Sequence, residues 1–111
     1  MSNQTNSNAL VLVMTTESSW DQANDLAKAL LERKLVACAS LHQVNSHYLW
    51  KGKLEEEKEV QLILKTTNNL LESLWETIVE LHSYENPEWI YWSVCSGRQY
   101  KSWLLNIVGS K

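Results

Sequence analysis

Between Leu35 and Thr67 the chain holds β-branched, aromatic and small residues on either side of one turn signal, Lys51-Gly52. Two such runs joined by a two-residue turn form a β-hairpin, and here both strands are long. With Lys51 and Gly52 as the turn, every cross-strand pair follows. Ala37, Ala39, Leu41 and Leu49 then face Thr66, Leu64, Leu62 and Leu54, a face expected in the core. Val36, Cys38, Ser40, His42 and Val44 fall on the other face with Ile63 and Lys65, which puts Lys65 opposite Cys38.

The flanking segments complete a pattern. Ala9 to Met14 is an aliphatic run suited to a strand buried on both faces. Ser18 or Ser19 offers an N-cap, and Trp20, Ala23, Ala27, Leu30 and Leu31 keep helical spacing to about Lys34. Asn68 is the expected cap of a second helix through Leu71, Leu74, Ile78 and Leu81. Pro87 forces extended backbone before a last strand, Trp89 to Cys95, with Cys95 expected in the core. Tyr100, Trp103, Leu104, Ile107 and Val108 fit a short C-terminal helix. The order β-α-β-β-α-β plus a terminal helix predicts an α+β, ferredoxin-like split βαβ sandwich with an antiparallel sheet. Both main helices cover one sheet face, so the other is expected to lack a helix and to need a partner subunit. Residues 1–8, polar throughout after Met1, are expected to form a disordered tail ahead of a single domain, residues 9–111.

Composition excludes several functions. Ten basic against 13 acidic residues leave a net charge of −3, which argues against a nucleic-acid partner. No apolar stretch is long enough for a membrane span or a secretory signal, so a cytoplasmic location is expected. Two cysteines are too few for a disulfide scaffold. Val60 to Lys65 lacks the aromatic residues of an RNA-recognition strand, and Thr15-Thr16-Glu17 stands where a metallochaperone carries Cys-x-x-Cys. No glycine lies near a helix start to cradle phosphate, and Arg33 and Arg98 are not placed for an acylphosphatase-like anion loop. A non-enzymatic protein is expected.

Five strings, Leu31-Glu-Arg-Lys-Leu-Val-Ala-Cys-Ala39, Tyr48-Leu-Trp-Lys-Gly52, Glu59-Val-Gln-Leu-Ile-Leu-Lys-Thr66, His82-Ser-Tyr-Glu-Asn-Pro-Glu88 and Tyr100-Lys-Ser-Trp-Leu104, occur in this order. Together they resemble the CutA family of divalent-cation tolerance proteins. The resemblance implies a homotrimer of ferredoxin-like subunits whose long hairpins pack across subunit boundaries. It also implies a part in the response to copper and other divalent metal ions, through weak or inter-subunit binding. Its alternative is a non-catalytic trimeric scaffold or adaptor with a small ligand or protein partner in the inter-subunit clefts. Two departures stand out: Ser83 replaces the usual proline of the family's His-Pro-Tyr-Glu motif, and Met14 stands where some metal-binding relatives carry cysteine.

The candidate metal-ligating residues are Cys38, His82 and Glu85, for copper or another divalent ion, with no cofactor required. His82 and Glu85, three apart at a helix end, can point an imidazole and a carboxylate into one crevice, although a helix-end histidine also serves simply to cap carbonyls. Cys38 beside Lys65 is either a reactive thiol or a small buried hydrophobe. Lys65, Tyr84 and Trp50 are candidates for contacts to a ligand. His42 and His47 are expected on opposite strand faces. Glu55, Glu56, Glu57 and Glu59 form an acidic run that attracts cations loosely or solvates an edge strand.

Overall fold

The computed structural model describes residues 8–109, so the expected tail lies outside the described residues apart from Asn8. Strands β1 (Leu10–Glu17), β2 (Cys38–Trp50), β3 (Lys53–Thr67) and β4 (Ile90–Ser93) form one sheet in the order β2-β3-β1-β4, with every neighbouring pair antiparallel. Helices α1 (Trp20–Glu32) and α2 (Leu71–Leu81) connect the strands, and α3 (Arg98–Val108) follows β4. This is the split βαβ topology the sequence order predicts.

The hairpin register is the expected one, from Trp50 opposite Lys53 to Cys38 opposite Lys65. Lys51 and Gly52 both adopt positive φ, 53° and 79°, the conformation a two-residue turn between right-twisted strands needs. Helix α1 begins where Ser19 Oγ accepts the Gln22 N–H at 3.2 Å. It ends with Lys34 at φ 58°, while the Lys34 and Leu35 amides bond the carbonyls of Leu31 and Leu30. That closure satisfies two carbonyls that a helix end otherwise leaves open.

The principal core joins Val11 and Val13 of β1, Leu62 and Leu64 of β3, Leu26 and Leu30 of α1, and Leu74 and Ile78 of α2. A smaller cluster on the other sheet face joins Leu10, Ala37, Leu104 and Val108, with Leu12 packed against it. Helix α3 therefore covers one end of the face expected to lack a helix.

Other expectations need correction. Leu49 and Leu54 pair as drawn but are 73% and 76% exposed, because β3 outruns β1: their pairing stops at Glu17 opposite Val60, and the hairpin continues as a free arm. Strand alternation does not extend back to residue 36. Val36 packs in the principal core and Ala37 in the smaller cluster, since β2 begins only at Cys38. Asn68 gives no side-chain cap; residues Asn68–Leu70 form a 3₁₀ turn, and the Asn68 amide bonds the Ala9 carbonyl at 2.9 Å. Strand β4 is four residues long, and Cys95 is exposed. Its partner strand begins at Leu10, whose carbonyl takes the Val94 amide, so Cys95 lies beyond the end of the paired strands.

Candidate functional site

Alternation along the free arm puts Glu55, Glu57 and Glu59 of β3 on the same face as Tyr48 and Trp50 of β2. Thr16, near the end of β1, lies on that face too, because it pairs with Gln61. The segment from Ser83 to Glu88, which joins α2 to β4, stands beside them. Together these residues line a cleft of about 790 Å³, and the lining contains no lysine or arginine. None of its five carboxylates, Glu55, Glu57, Glu59, Glu85 and Glu88, takes part in an ion pair among the described residues.

Hydrogen bonds, burial and the neighbouring carboxylates all act on the titratable groups of the lining. Tyr48 Oη donates to Glu57 Oε1 at 2.6 Å, and its phenol is pushed up to about 12 by that bond, by burial, and by the charges of Glu57, Glu59 and Glu55. Tyr84 Oη donates to Glu59 Oε2 at 2.6 Å; burial first, then that bond and the charges of Glu59, Glu57 and Glu17, raise its pKa strongly. Burial raises the Glu88 carboxyl, a Thr16 hydrogen bond opposes the shift, and the charge of Glu59 adds to it.

A hydrogen-bonded knot behind the cleft wall fixes the wall's position. The His82 side chain is fully buried. Its Nδ1 accepts the Tyr84 N–H at 2.9 Å, so Nε2 carries the proton and donates to the Thr16 carbonyl at 2.5 Å. Glu17 is buried next to it, with Oε2 3.6 Å from His82 Nδ1. Glu17 Oε1 accepts from the Ser18 amide at 3.1 Å and from Ser83 Oγ at 2.5 Å; Oε2 accepts from the Ser83 amide at 3.1 Å. Ser83, the departure from the family's proline, supplies the amide hydrogen that a proline lacks.

Of the sequence candidates, Trp50, Tyr84 and Glu85 line the cleft, and His82 lies behind its wall with both ring nitrogens engaged. Cys38 and Lys65 lie elsewhere, in the cross-strand row that continues through Leu12 to Trp92, four residues back along β1 from Thr16. The structure does not bring Cys38, His82 and Glu85 to one point. Among the described residues no three His, Cys, Asp or Glu side chains converge to hold a metal ion. Cys38 is half-buried with Sγ 4.0 Å from Ser40 Oγ, and the Lys65 ammonium lies 5.3 Å from the Tyr100 ring centroid, under α3. Lys65 is raised chiefly by its hydrogen bond to Tyr100. His42 and His47 face opposite ways, His47 toward Glu56 at 3.8 Å.

Glu17, Ser83, Glu88 and the Tyr84 bond to Glu59 were not legible as site residues. The only sequence signal was Ser83 itself, out of place in the motif.

Comparison with known proteins agrees with the fold. The pattern of the CutA1 divalent ion tolerance protein matches residues 11–106, nearly all of the described chain. The chain belongs to the CutA1 family. It is 42% identical over 97 residues to the divalent-cation tolerance protein CutA of Pyrococcus horikoshii, covering 86% of this chain and 95% of that one. It is 44% identical over 98 residues to the Escherichia coli K12 CutA, covering 86% and 88%. The structure of CutA from Synechococcus elongatus superimposes with a TM-score of 0.89 at 33% identity, over 92% of each chain. Like these relatives, the chain is a divalent-cation tolerance protein by family. Among the described residues no helix is long and apolar enough to cross a membrane.

Proposed function

We propose that this CutA1 member acts in the response to copper and other divalent metal ions by holding the cation weakly in the acidic cleft. The observation that supports this is the set of five carboxylates in a lining that contains no lysine or arginine, around a space wide enough for a hydrated ion. Oxygen donors suit Cu(II), Mn(II) and similar dications, whereas Cu(I) prefers sulfur. Glu85 stays in the donor set in this reading, His82 positions the wall, and Cys38 takes no part.

Because one subunit does not gather three donors, the ion is bound through water or completed by a neighbour. The homotrimer belongs to this reading. The exposed Leu49, Trp50 and Leu54 of the arm, with Ile90 and Trp92 of β4, supply apolar surface for a second and third copy to cover. The location is cytoplasmic and no catalytic step is involved.

Calorimetric titration of the oligomer with Mn(II), Cu(II) and Zn(II) tests the proposal. Saturable binding, lost in a Glu57→Gln, Glu59→Gln double variant, is expected. A ligand specific for the native state at about 100 times its Kd adds about 2.7 kcal/mol of stability, so the thermal midpoint should rise with metal. An unchanged midpoint with every metal favours the scaffold alternative.

A further inference from the structure

The knot behind the cleft wall has one member that changes its hydrogen-bonding role with a single proton. In the structure His82 Nδ1 is an acceptor and holds the Tyr84 amide, while Nε2–H is committed to the Thr16 carbonyl. A second proton can enter only at Nδ1. There it turns the acceptor into a donor, so the Tyr84 N–H loses its partner and two hydrogens face each other. The acceptor available to the new N–H is Glu17 Oε2, 3.6 Å away, which already receives the Ser83 amide. We infer that His82 is a proton-operated latch behind the cleft wall: a proton taken from solvent exchanges its Tyr84 amide for the Glu17 carboxylate and frees the backbone of the wall at Tyr84.

Each element packed around His82 fits that role. From β1 it meets Glu17 and the uncharged Thr15 and Thr16, with Thr15 Oγ1 3.4 Å from Nε2. From its own segment it meets Tyr84, whose ring centroid lies 5.0 Å from that of the imidazole. From α1, Asp25 shares a small acidic cavity with Glu17 and Ser83. From β3, Glu59 is reached through the Tyr84 hydroxyl. From α2 comes the Ile78 carbonyl, which takes the His82 amide at 2.8 Å. The charged neighbours on β1, α1 and β3 are thus all carboxylates, and an imidazolium has Glu17 within reach. Histidine is the side chain that ordinarily changes charge between pH 5 and 8. Ser83 ties its own segment into the latch, since its amide and hydroxyl both bond the carboxylate that receives the proton's new N–H. The consequence for cations rests on the cleft reading proposed above: at lower pH the backbone at Tyr84 loosens while its hydroxyl stays on Glu59, and the cleft holds cations less tightly.

Nuclear magnetic resonance of the metal-free oligomer between about pH 8 and 5 tests the latch in the wild-type chain. The expected result is that His82 ring protonation and loss of Tyr84 amide protection share one midpoint, with protection, corrected for intrinsic exchange, falling at least about tenfold while Leu62 in the core keeps its own. Tyr84 staying protected while His82 protonates overturns the inference, as does loss at Tyr84 only together with Leu62. So does a His82 that stays neutral until the protein unfolds. His82→Gln keeps a donor for the Thr16 carbonyl but takes up no proton, so its Tyr84 protection should not vary with pH; if that variant does not fold, the wild-type comparison decides. Mn(II) titrations of both proteins at pH 8 and pH 6 separate the two readings. Absence of binding at pH 8 overturns the cleft reading and leaves the latch to the exchange data, whereas an equal loss of affinity in both proteins at pH 6 overturns the coupling.

Discussion

The two ends of the hairpin share one register and one alternation of side chains, yet they live in different surroundings. At the base, Leu41 faces Leu62, and Leu62 is fully buried under α1 and α2. On the arm, Leu49 faces Leu54 in the same geometry, and both are exposed. The pairing pattern is intrinsic to the two strands. Burial depends on a third strand, and β1 stops at Glu17. Alternation read from sequence therefore identifies faces but not what lies across from them.

That contrast can be broken by substitution. Leu62→Ala should cost about 2 to 5 kcal/mol, as large-to-small changes in a packed core do, whereas Leu54→Ala should cost less than about 0.5 kcal/mol in an isolated subunit. Denaturant titration of both variants checks this; a loss at Leu54 comparable to that at Leu62 would show the arm buried against another copy in solution. Glu17 marks the boundary between base and arm. Glu17→Ala removes the buried acceptor of the part-buried bonds from Ser83 and Ser18, whose donors water can then reach, at about 0.5 to 1.5 kcal/mol per bond, and should lower the thermal midpoint accordingly.

A smaller effect is expected at the tip. Gly52 has φ 79° with nothing within 4 Å of an added Cβ, so Gly52→Ala should cost about 1 kcal/mol through backbone conformation alone and leave the register intact. Equilibrium unfolding measures the first, and cross-strand nuclear Overhauser contacts between Trp50 and Lys53 the second.

The last effect is on titration. With Tyr48 raised to about 12 against an ordinary value of 10.0, the folded chain holds this proton more tightly than the unfolded one. Its contribution is therefore complete below about pH 10 and is lost as pH climbs through about 12. Absorbance titration of the phenol in Glu57→Gln should show its midpoint moving back toward 10.0, because the hydrogen bond to Glu57 is the largest cause. An unchanged midpoint would mean the arm's row of carboxylates does not set the potential of the cleft.

Much of the fold was legible because its signals are local. Lys51-Gly52 fixes the register of the whole hairpin, and Ser19 sits within three residues of the amide it caps. Asn68 misled for an equally local reason: a good capping residue does not cap when the chain spends its first turn as a 3₁₀ segment. Half of the site was legible as well, since Glu55, Glu57 and Glu59 are two apart on a strand. The opposing wall was not. Tyr84 meets Glu59 across 25 residues of sequence and Ser83 meets Glu17 across 66, and no periodicity spans such distances. The expected grouping of His82 with Glu85 rested on helical spacing, but α2 ends at Leu81, so the two follow different backbone paths.

The early stop of β1 works as a ruler. Strand β3 runs from Lys53 to Thr67 and pairs with β1 only from Val60 onward, so the overhang, at roughly 3.4 Å per residue, reaches about 24 Å beyond the sheet. Side chains alternate with period two, so lengthening or shortening the arm by one residue pair on each strand would change its reach by about 7 Å while every remaining side chain kept its face. The depth of the cleft could thus be adjusted in discrete steps, without disturbing the core at the other end of the same two strands.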